Sequence, residues 1–69
     1  MIVQVMFAGL EPGARVRAVQ MPGDPDPVAP GTTGTVTRVT SGPFMQVTVD
    51  WEGGRRLMLV AEDLIEVLS

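Results

Sequence analysis

The chain contains no cysteine, histidine, lysine, tyrosine or asparagine. Without cysteine it can form neither a disulfide nor a structural zinc site of the Cys/His type. Without histidine, lysine or tyrosine, general acid–base catalysis would fall to Asp and Glu, and a Ser or Thr nucleophile would have no histidine base. The residue inventory therefore predicts a protein that is not an enzyme, and it points to no cofactor.

Positive charge is scarce and comes from arginine alone. Five arginines stand against eight acidic residues, which gives a net charge of −3 at pH 7. An acidic domain lacks the broad positive field that drives phosphate binding, so the charge balance disfavours nucleic acid as a partner without excluding it.

Long apolar runs are missing as well. Nothing approaches the roughly 20 apolar residues that span a bilayer, and the first residues, MIVQVMF, carry no basic segment of the kind that begins a signal peptide. We therefore expect a cytoplasmic protein with no membrane contact.

Even so, 45% of the residues are apolar, although a domain of this size buries only about 60% of the surface that its unfolded chain exposes. We expect the excess to lie in an interface, either with another protein or in a homo-oligomer.

The most informative stretch is residues 44–60, FMQVTVDWEGGRRLMLV. Val47, Val49 and Trp51 alternate with polar residues, which is the period-2 pattern of a half-buried strand. Gly53 and Gly54 tolerate positive φ, as a hairpin turn requires. The pattern predicts a second strand over residues 55–60. Leu57 and Leu59 of this second strand are expected to point inward. The residues that the hairpin is expected to expose are Phe44, Met45, Arg55 and Met58.

Two more strands are expected before this hairpin. Residues 14–21 alternate, with Val16 and Ala18 directed inward and the arginines between them directed outward. Residues 32–40 are rich in β-branched side chains, and Gly34 within them indicates a bulge or a close backbone crossing. The three-residue spacing of Val36 and Val39 also breaks strict alternation, which favours the same irregularity.

The remaining segments are an N-terminal extension and a proline-rich loop. Residues 1–11 predict an extra strand that pairs either within the chain or with a partner chain, because an exposed strand edge is a template for pairing. Residues 22–31, PGDPDPVAPG, form a stiff loop that can present Asp24 and Asp26 to a partner. Those two carboxylates lack the further oxygen ligands of a calcium loop, so no metal is expected.

The C-terminal segment completes the predicted fold. Residues 61–64 predict one helical turn, and residues 65–67 predict a last short strand, with Leu64 and Leu68 closing the core. Residues 1–69 are therefore expected to form a single all-β domain, a small and strongly bent barrel of about five short strands with one helical turn before the last strand.

Four motifs follow one another along the chain: Pro12-Gly13-Ala14-Arg15-Val16, Pro30-Gly31-Thr32-Thr33-Gly34-Thr35-Val36, Val49-Asp50-Trp51-Glu52-Gly53-Gly54-Arg55 and Glu62-Asp63-Leu64. In this order they are similar to motifs of SH3-like barrels of the KOW type. The chain resembles in particular a family of small domains of unknown function found in bacteria and phages, over roughly residues 12–67. The resemblance implies the SH3-like fold but no activity. RNA-binding relatives of this fold carry lysine clusters and methyl-lysine readers need a cage of several aromatics, and the chain departs from both.

Three functions stay open. The leading hypothesis is a small acidic protein-binding accessory module of phage or prophage origin that occupies a surface of a larger protein. In one version it inhibits a host defence complex by placing carboxylates where phosphates would sit. The alternatives are a KOW-like nucleic-acid-binding domain and a self-assembling structural subunit. The candidate partner-binding residues are Asp24, Asp26, Phe44, Met45, Arg55, Arg56 and Met58.

Overall fold

The structure is all-β, as the alternation of apolar residues predicts. A computed structural model describes residues 1–69, and its only helical element is a 3₁₀ turn of three residues. No helix has the length and apolar character needed to cross a membrane. The strands are β1 (Ile2–Gln4), β2 (Arg15–Gln20), β3 (Thr33–Thr40), β4 (Gln46–Trp51), β5 (Leu59–Val60) and β6 (Leu64–Val67), and the 3₁₀ turn spans Val5–Phe7.

All six strands form one antiparallel sheet, which is not closed and has the order β1-β6-β2-β3-β4-β5. Strand β1 pairs with β6 of its own chain, and it is shorter than the predicted N-terminal extension. After β1, the 3₁₀ turn reaches the segment that follows the opposite edge strand, β5. There the N–H of Val5 donates to the carbonyl of Asp63 at 2.9 Å, and the N–H of Met6 donates to the carbonyl of Ala61 at 3.1 Å. The two edges of the sheet are thus tied together without being paired as strands.

The core consists of 12 buried apolar side chains. Strand β4 directs Val47, Val49 and Trp51 inward as predicted, and Leu59 of β5 is fully buried with them. The indole Nε1–H of Trp51 donates to the carbonyl of Leu57 at 3.0 Å, so this large ring is packed and its polar group is satisfied. The other members of the core are Val5, Leu10, Val16, Ala18, Met21, Val28, Val36 and Ile65.

Strands β3 and β4 cross closely at Gly34, as the sequence predicts. Gly34 lies opposite Trp51 in the register of the two strands. A Cβ atom at this position would lie 2.7 Å from Cγ1 of Val49 and 2.8 Å from both the carbonyl oxygen of Asp50 and Cε3 of Trp51. Only glycine leaves room for the indole ring to lie against the backbone of β3.

Further along β3 the register with β4 shifts between Val36 and Arg38. Thr37 is the extra residue, and this bulge explains why the alternation of β3 fails where the sequence indicated an irregularity.

The C-terminal segment differs from its prediction. Residues 61–64 form no helical turn; a tight turn is closed by the N–H of Asp63 donating to the carbonyl of Val60 at 3.1 Å, and Leu64 already belongs to β6. Leu68 is 40% exposed, and Ile65 is the fully buried residue of this segment. The reason is register: Ile65 lies opposite the inward-facing Ala18, and a shift of one residue exchanges the two faces of a strand.

The hairpin after β4 is shorter than predicted. Gly53 and Gly54 adopt the expected positive φ values of 91° and 84°, but the returning strand makes only an isolated bridge at Arg56 before β5 begins at Leu59. The carbonyl of Leu57 is used by the indole of Trp51, so the chain leaves the strand ladder there and Leu57 is only half-buried.

We expect Gly34→Ala to destabilise the protein by about 1–3 kcal/mol or more, because the added Cβ has no space between β3 and Trp51. Gly23→Ala is the matched control, since nothing lies within 4 Å of a Cβ at that position and Gly23 does not have a positive φ. Urea unfolding of both variants checks the prediction. Equal midpoints for the two variants would contradict a crowded crossing at Gly34.

Candidate protein-binding groove

An open groove lies between the β3–β4 connection and the turn that follows β5. Its volume is about 410 Å³. Phe44 on one side is 82% exposed, and Val60 on the other side is 38% exposed. The groove therefore offers apolar surface to solvent on both sides. Its lining residues are Pro43, Phe44, Met45, Gln46, Val60, Ala61 and Glu62.

Local backbone geometry positions this groove. After β3, Gly42 adopts a φ of 122° and Pro43 cannot donate to a strand ladder, so the chain leaves the sheet before β4 begins. Gln46 then lies opposite Val60 in the register of β4 and β5. The next pair in this register is fully buried, so the alternation of side chains directs Gln46 and Val60 to the outer face.

A buried carboxyl group holds the turn that forms one side of the groove. Asp63 is 3% exposed, and its Oδ2 accepts a hydrogen bond from the N–H of Val60 at 3.0 Å. The N–H of Asp63 donates back to the carbonyl of Val60 at 3.1 Å. Because Val60 belongs to the edge strand β5, these bonds occupy backbone groups that an added strand would need, and they protect this edge from further pairing.

The surroundings of Asp63 are acidic. Burial raises the pKa of Asp63 above its ordinary value of 3.8; the hydrogen bond from Val60 opposes this shift, and the charges of Glu62 and Asp24 add to it. Asp24 belongs to the proline-rich loop, so a charge on that loop contributes to the raised pKa of Asp63.

Arg55 fastens the proline-rich loop to the hairpin. Its guanidinium pairs with the carboxylate of Asp26 at 3.2 Å, and it also donates to the carbonyls of Asp26 and Pro27. Within the loop, Oδ1 of Asp24 accepts a hydrogen bond from the N–H of Asp26 at 2.8 Å, which is a local turn that aspartate favours. The donors of Arg55 are therefore directed toward its own chain.

Most of the other arginines also have carboxylate partners within the chain. These pairs are partly or largely exposed, so each one contributes only about 0–1 kcal/mol to stability. Each pair nevertheless neutralises a positive charge, and Arg38 is the one arginine that has no such partner. The remaining pairs are Arg15–Glu52 at 3.5 Å, Arg17–Glu66 at 2.6 Å and Arg56–Asp50 at 3.1 Å.

The predicted partner-binding residues fall into separate places. Phe44 and Met45 line the groove. Met45 was expected to be exposed, but it is half-buried against the core, because the chain does not follow strand alternation until β4 begins at Gln46. Met58 is 48% exposed, as predicted, but it precedes β5 and does not line the groove.

The predicted charged residues lie apart from the apolar ones. Asp26 and Arg55 pair with each other in the loop contact, and Arg56 pairs with Asp50. Asp24 is the only one of these residues whose charge acts on the turn beside the groove.

Several residues of the site were missed from the sequence. The alternation that places Met58 outward also places Val60 outward, so Val60 could have been identified. Asp63 offered no such signal, because an aspartate in a Glu-Asp pair is ordinarily expected to be exposed. The juxtaposition of residues 43–46 with residues 60–62 depends on the pairing of β4 with β5 and has no local signature.

Comparison with known proteins yields a family match over nearly the whole chain. The matching family model is described as "Domain of unknown function (DUF4314)" and covers residues 2–68. No curated protein and no solved structure gives a significant match. The match spans all six strands and the groove.

We expect Asp63→Asn to gain stability relative to the wild type as the pH rises. The pKa of Asp63 is raised in the folded protein, so the folded state binds this proton more tightly than the unfolded state does. The wild type therefore loses stability as the pH rises from 3.8 through the folded-state pKa. Asparagine still accepts the hydrogen bond from Val60 but cannot ionise, so its advantage should be smallest at low pH and should grow toward neutral pH.

Asp63→Ala is the control for this experiment, because alanine leaves the N–H of Val60 without its acceptor. It should be less stable than Asp63→Asn by about 1–3 kcal/mol at every pH. Thermal unfolding between acidic and neutral pH measures both effects. A constant difference between wild type and Asp63→Asn would show that ionisation of Asp63 costs the folded protein nothing.

Proposed function

We propose that this chain, which belongs to the family described as "Domain of unknown function (DUF4314)", is a small acidic protein-binding module that occupies a surface of a larger protein. The exposure of Phe44 beside an open groove carries the proposal. Burying such a side chain stabilises an assembly by about 1.5–3 kcal/mol, and this fold leaves 82% of Phe44 in solvent. The role requires no catalytic chemistry.

The surroundings of Phe44 support an interface. Val60 and Met58 extend the apolar surface along β5 and the segment before it, and aromatic residues and methionine are enriched at protein–protein interfaces. The side of the groove that contains Val60 is held in place by the hydrogen bonds of Asp63. A partner would therefore meet a preorganised surface, and binding would cost less conformational entropy.

The proposal includes an SH3-like barrel as the fold and a phage or prophage origin. The SH3-like barrel is supported by the short antiparallel strands, the glycine crossing and the bulge of β3, because small barrels bend their strands by these means. The phage or prophage origin rests on the resemblance of the motifs alone. An inhibitory role at a nucleic-acid channel of a host defence protein is supported by the net charge of −3 and by the carboxylates that have no arginine partner.

The nucleic-acid alternative receives less support. Four of the five arginines pair with carboxylates of the same chain. A phosphate backbone would have to displace those carboxylates or bind beside them, and its own charge would be repelled by the excess of acidic residues.

Self-assembly is the other use that the apolar surface allows. Packing two copies groove to groove would bring the Glu62 residues of the two copies near each other, and such like-charge contacts are costly in an interface. For this groove we therefore favour a different protein over a second copy.

We expect Phe44→Ser to abolish capture of the partner. Tagged wild-type protein, Phe44→Ser and Phe7→Ser would each be used for affinity capture from the native host, with the bound proteins quantified by mass spectrometry. The affinity for the recovered partner, once purified, should fall about tenfold or more for Phe44→Ser, since truncating a central aromatic residue of an interface typically costs more than 1.4 kcal/mol.

Phe7→Ser is the matched control, because Phe7 is also largely exposed, at 73%, but does not line the groove. Both variants should unfold at the wild-type temperature, as the lost ring contacts little of the core in either case. Recovery of no stoichiometric partner, or equal binding by the two variants, would overturn the proposed function.

A further inference from the structure

The eight carboxylates of the chain divide into two groups. Four of them form ion pairs within the chain, and four do not. The paired residues are Asp26, Asp50, Glu52 and Glu66; the residues without an ion pair are Glu11, Asp24, Glu62 and Asp63.

One of the four unpaired carboxylates, that of Glu62, lies at the groove. Glu62 lines the groove and is exposed. Asp63 is the next residue, and Asp24 lies close enough to influence the titration of Asp63. An exposed carboxylate without an ion pair therefore lies at the edge of an apolar groove, and no arginine of the chain pairs with it.

We propose that the groove binds a segment of the partner protein in which an apolar side chain stands next to an arginine. The apolar side chain would occupy the space between Phe44 and Val60, and the guanidinium would pair with Glu62. This inference rests on the proposed protein-binding function and specifies the chemistry of the partner.

The lining of the groove favours arginine for physical reasons. The exposed ring of Phe44 offers a face on which a planar guanidinium can stack, and Glu62 on the other side can accept two of its hydrogen bonds. No cation of the chain lies within ion-pair distance of Glu62 to compete for this position. A second copy of this chain is a poor source of the arginine, because only Arg38 is not already paired with a carboxylate.

A peptide titration tests the inference directly. The probes are a blocked peptide of sequence SGLRLGS and the same peptide with citrulline, an uncharged analogue, in place of arginine. Each is titrated into ¹⁵N-labelled protein while the amide signals of Val60, Ala61 and Glu62 are followed. The arginine peptide should shift these signals, and citrulline should weaken binding about fivefold or more, as expected for loss of an ion pair together with a cation–π contact.

Two glutamate variants test whether Glu62 is the carboxylate that pairs with the arginine of the peptide. Glu62→Gln should weaken binding of the arginine peptide and leave binding of the citrulline peptide unchanged. Glu11→Gln is the matched control, because Glu11 is also exposed and without an ion pair but does not line the groove. It removes the same net charge and should change neither affinity.

Absence of binding by the arginine peptide, equal affinity for the two peptides, or equal effects of the two glutamate variants would each overturn the inference. If Phe44→Ser still abolished partner capture in those cases, the protein-binding function would stand and only the preference for arginine would be refuted. Capture of no partner at all would instead refute the proposed function.

Discussion

The contact between Gly34 and Trp51 is the constraint on which the rest of the structure depends. Because β3 carries no side chain at this point, the indole can lie against its backbone, and the register of β3 with β4 follows from that contact. The indole N–H of Trp51 then donates a hydrogen bond to the carbonyl of Leu57. The strand pairing of the hairpin ends early at this point, so that Leu59 lies in the core and Val60 lies outside it. A groove bounded by Val60 exists only because β5 returns to β4 in this register.

Asp63 shows how a polar group can be retained in the interior at a cost. Its burial disfavours the ionised carboxylate, yet the side chain occupies the N–H of Val60 on an edge strand, and the carbonyl of Asp63 binds the 3₁₀ turn that follows β1. An apolar residue at this position would avoid the desolvation cost but would leave the N–H of Val60, on the edge strand β5, without its acceptor. The carboxyl group therefore occupies one of the backbone groups that strand addition to this edge would use.

The parts of the fold that could be predicted are those with a local cause. Alternation identified Val47, Val49 and Trp51 as core residues, and the glycine in a β-branched run indicated the crossing. The failures have non-local causes. The turn after β5 is set by the side chain of Asp63, the choice of Ile65 over Leu64 is set by pairing with β2, and the groove joins two segments that only the pairing of β4 with β5 brings together. Met45 was misplaced because it lies in a connection, where alternation does not apply.

The net charge of the chain says less about its partners than the distribution of that charge does. A value of −3 would be compatible with a uniformly solvated acidic surface. In this structure, however, the arginines are mostly neutralised by nearby carboxylates, and one of the acidic residues left over, Glu62, lines the apolar groove. A carboxylate in this position repels phosphates, whereas a cation next to an apolar side chain would match both the charge and the apolar surface of the groove. Local pairing of charges, and not their total, therefore determines which charge this groove presents to solvent.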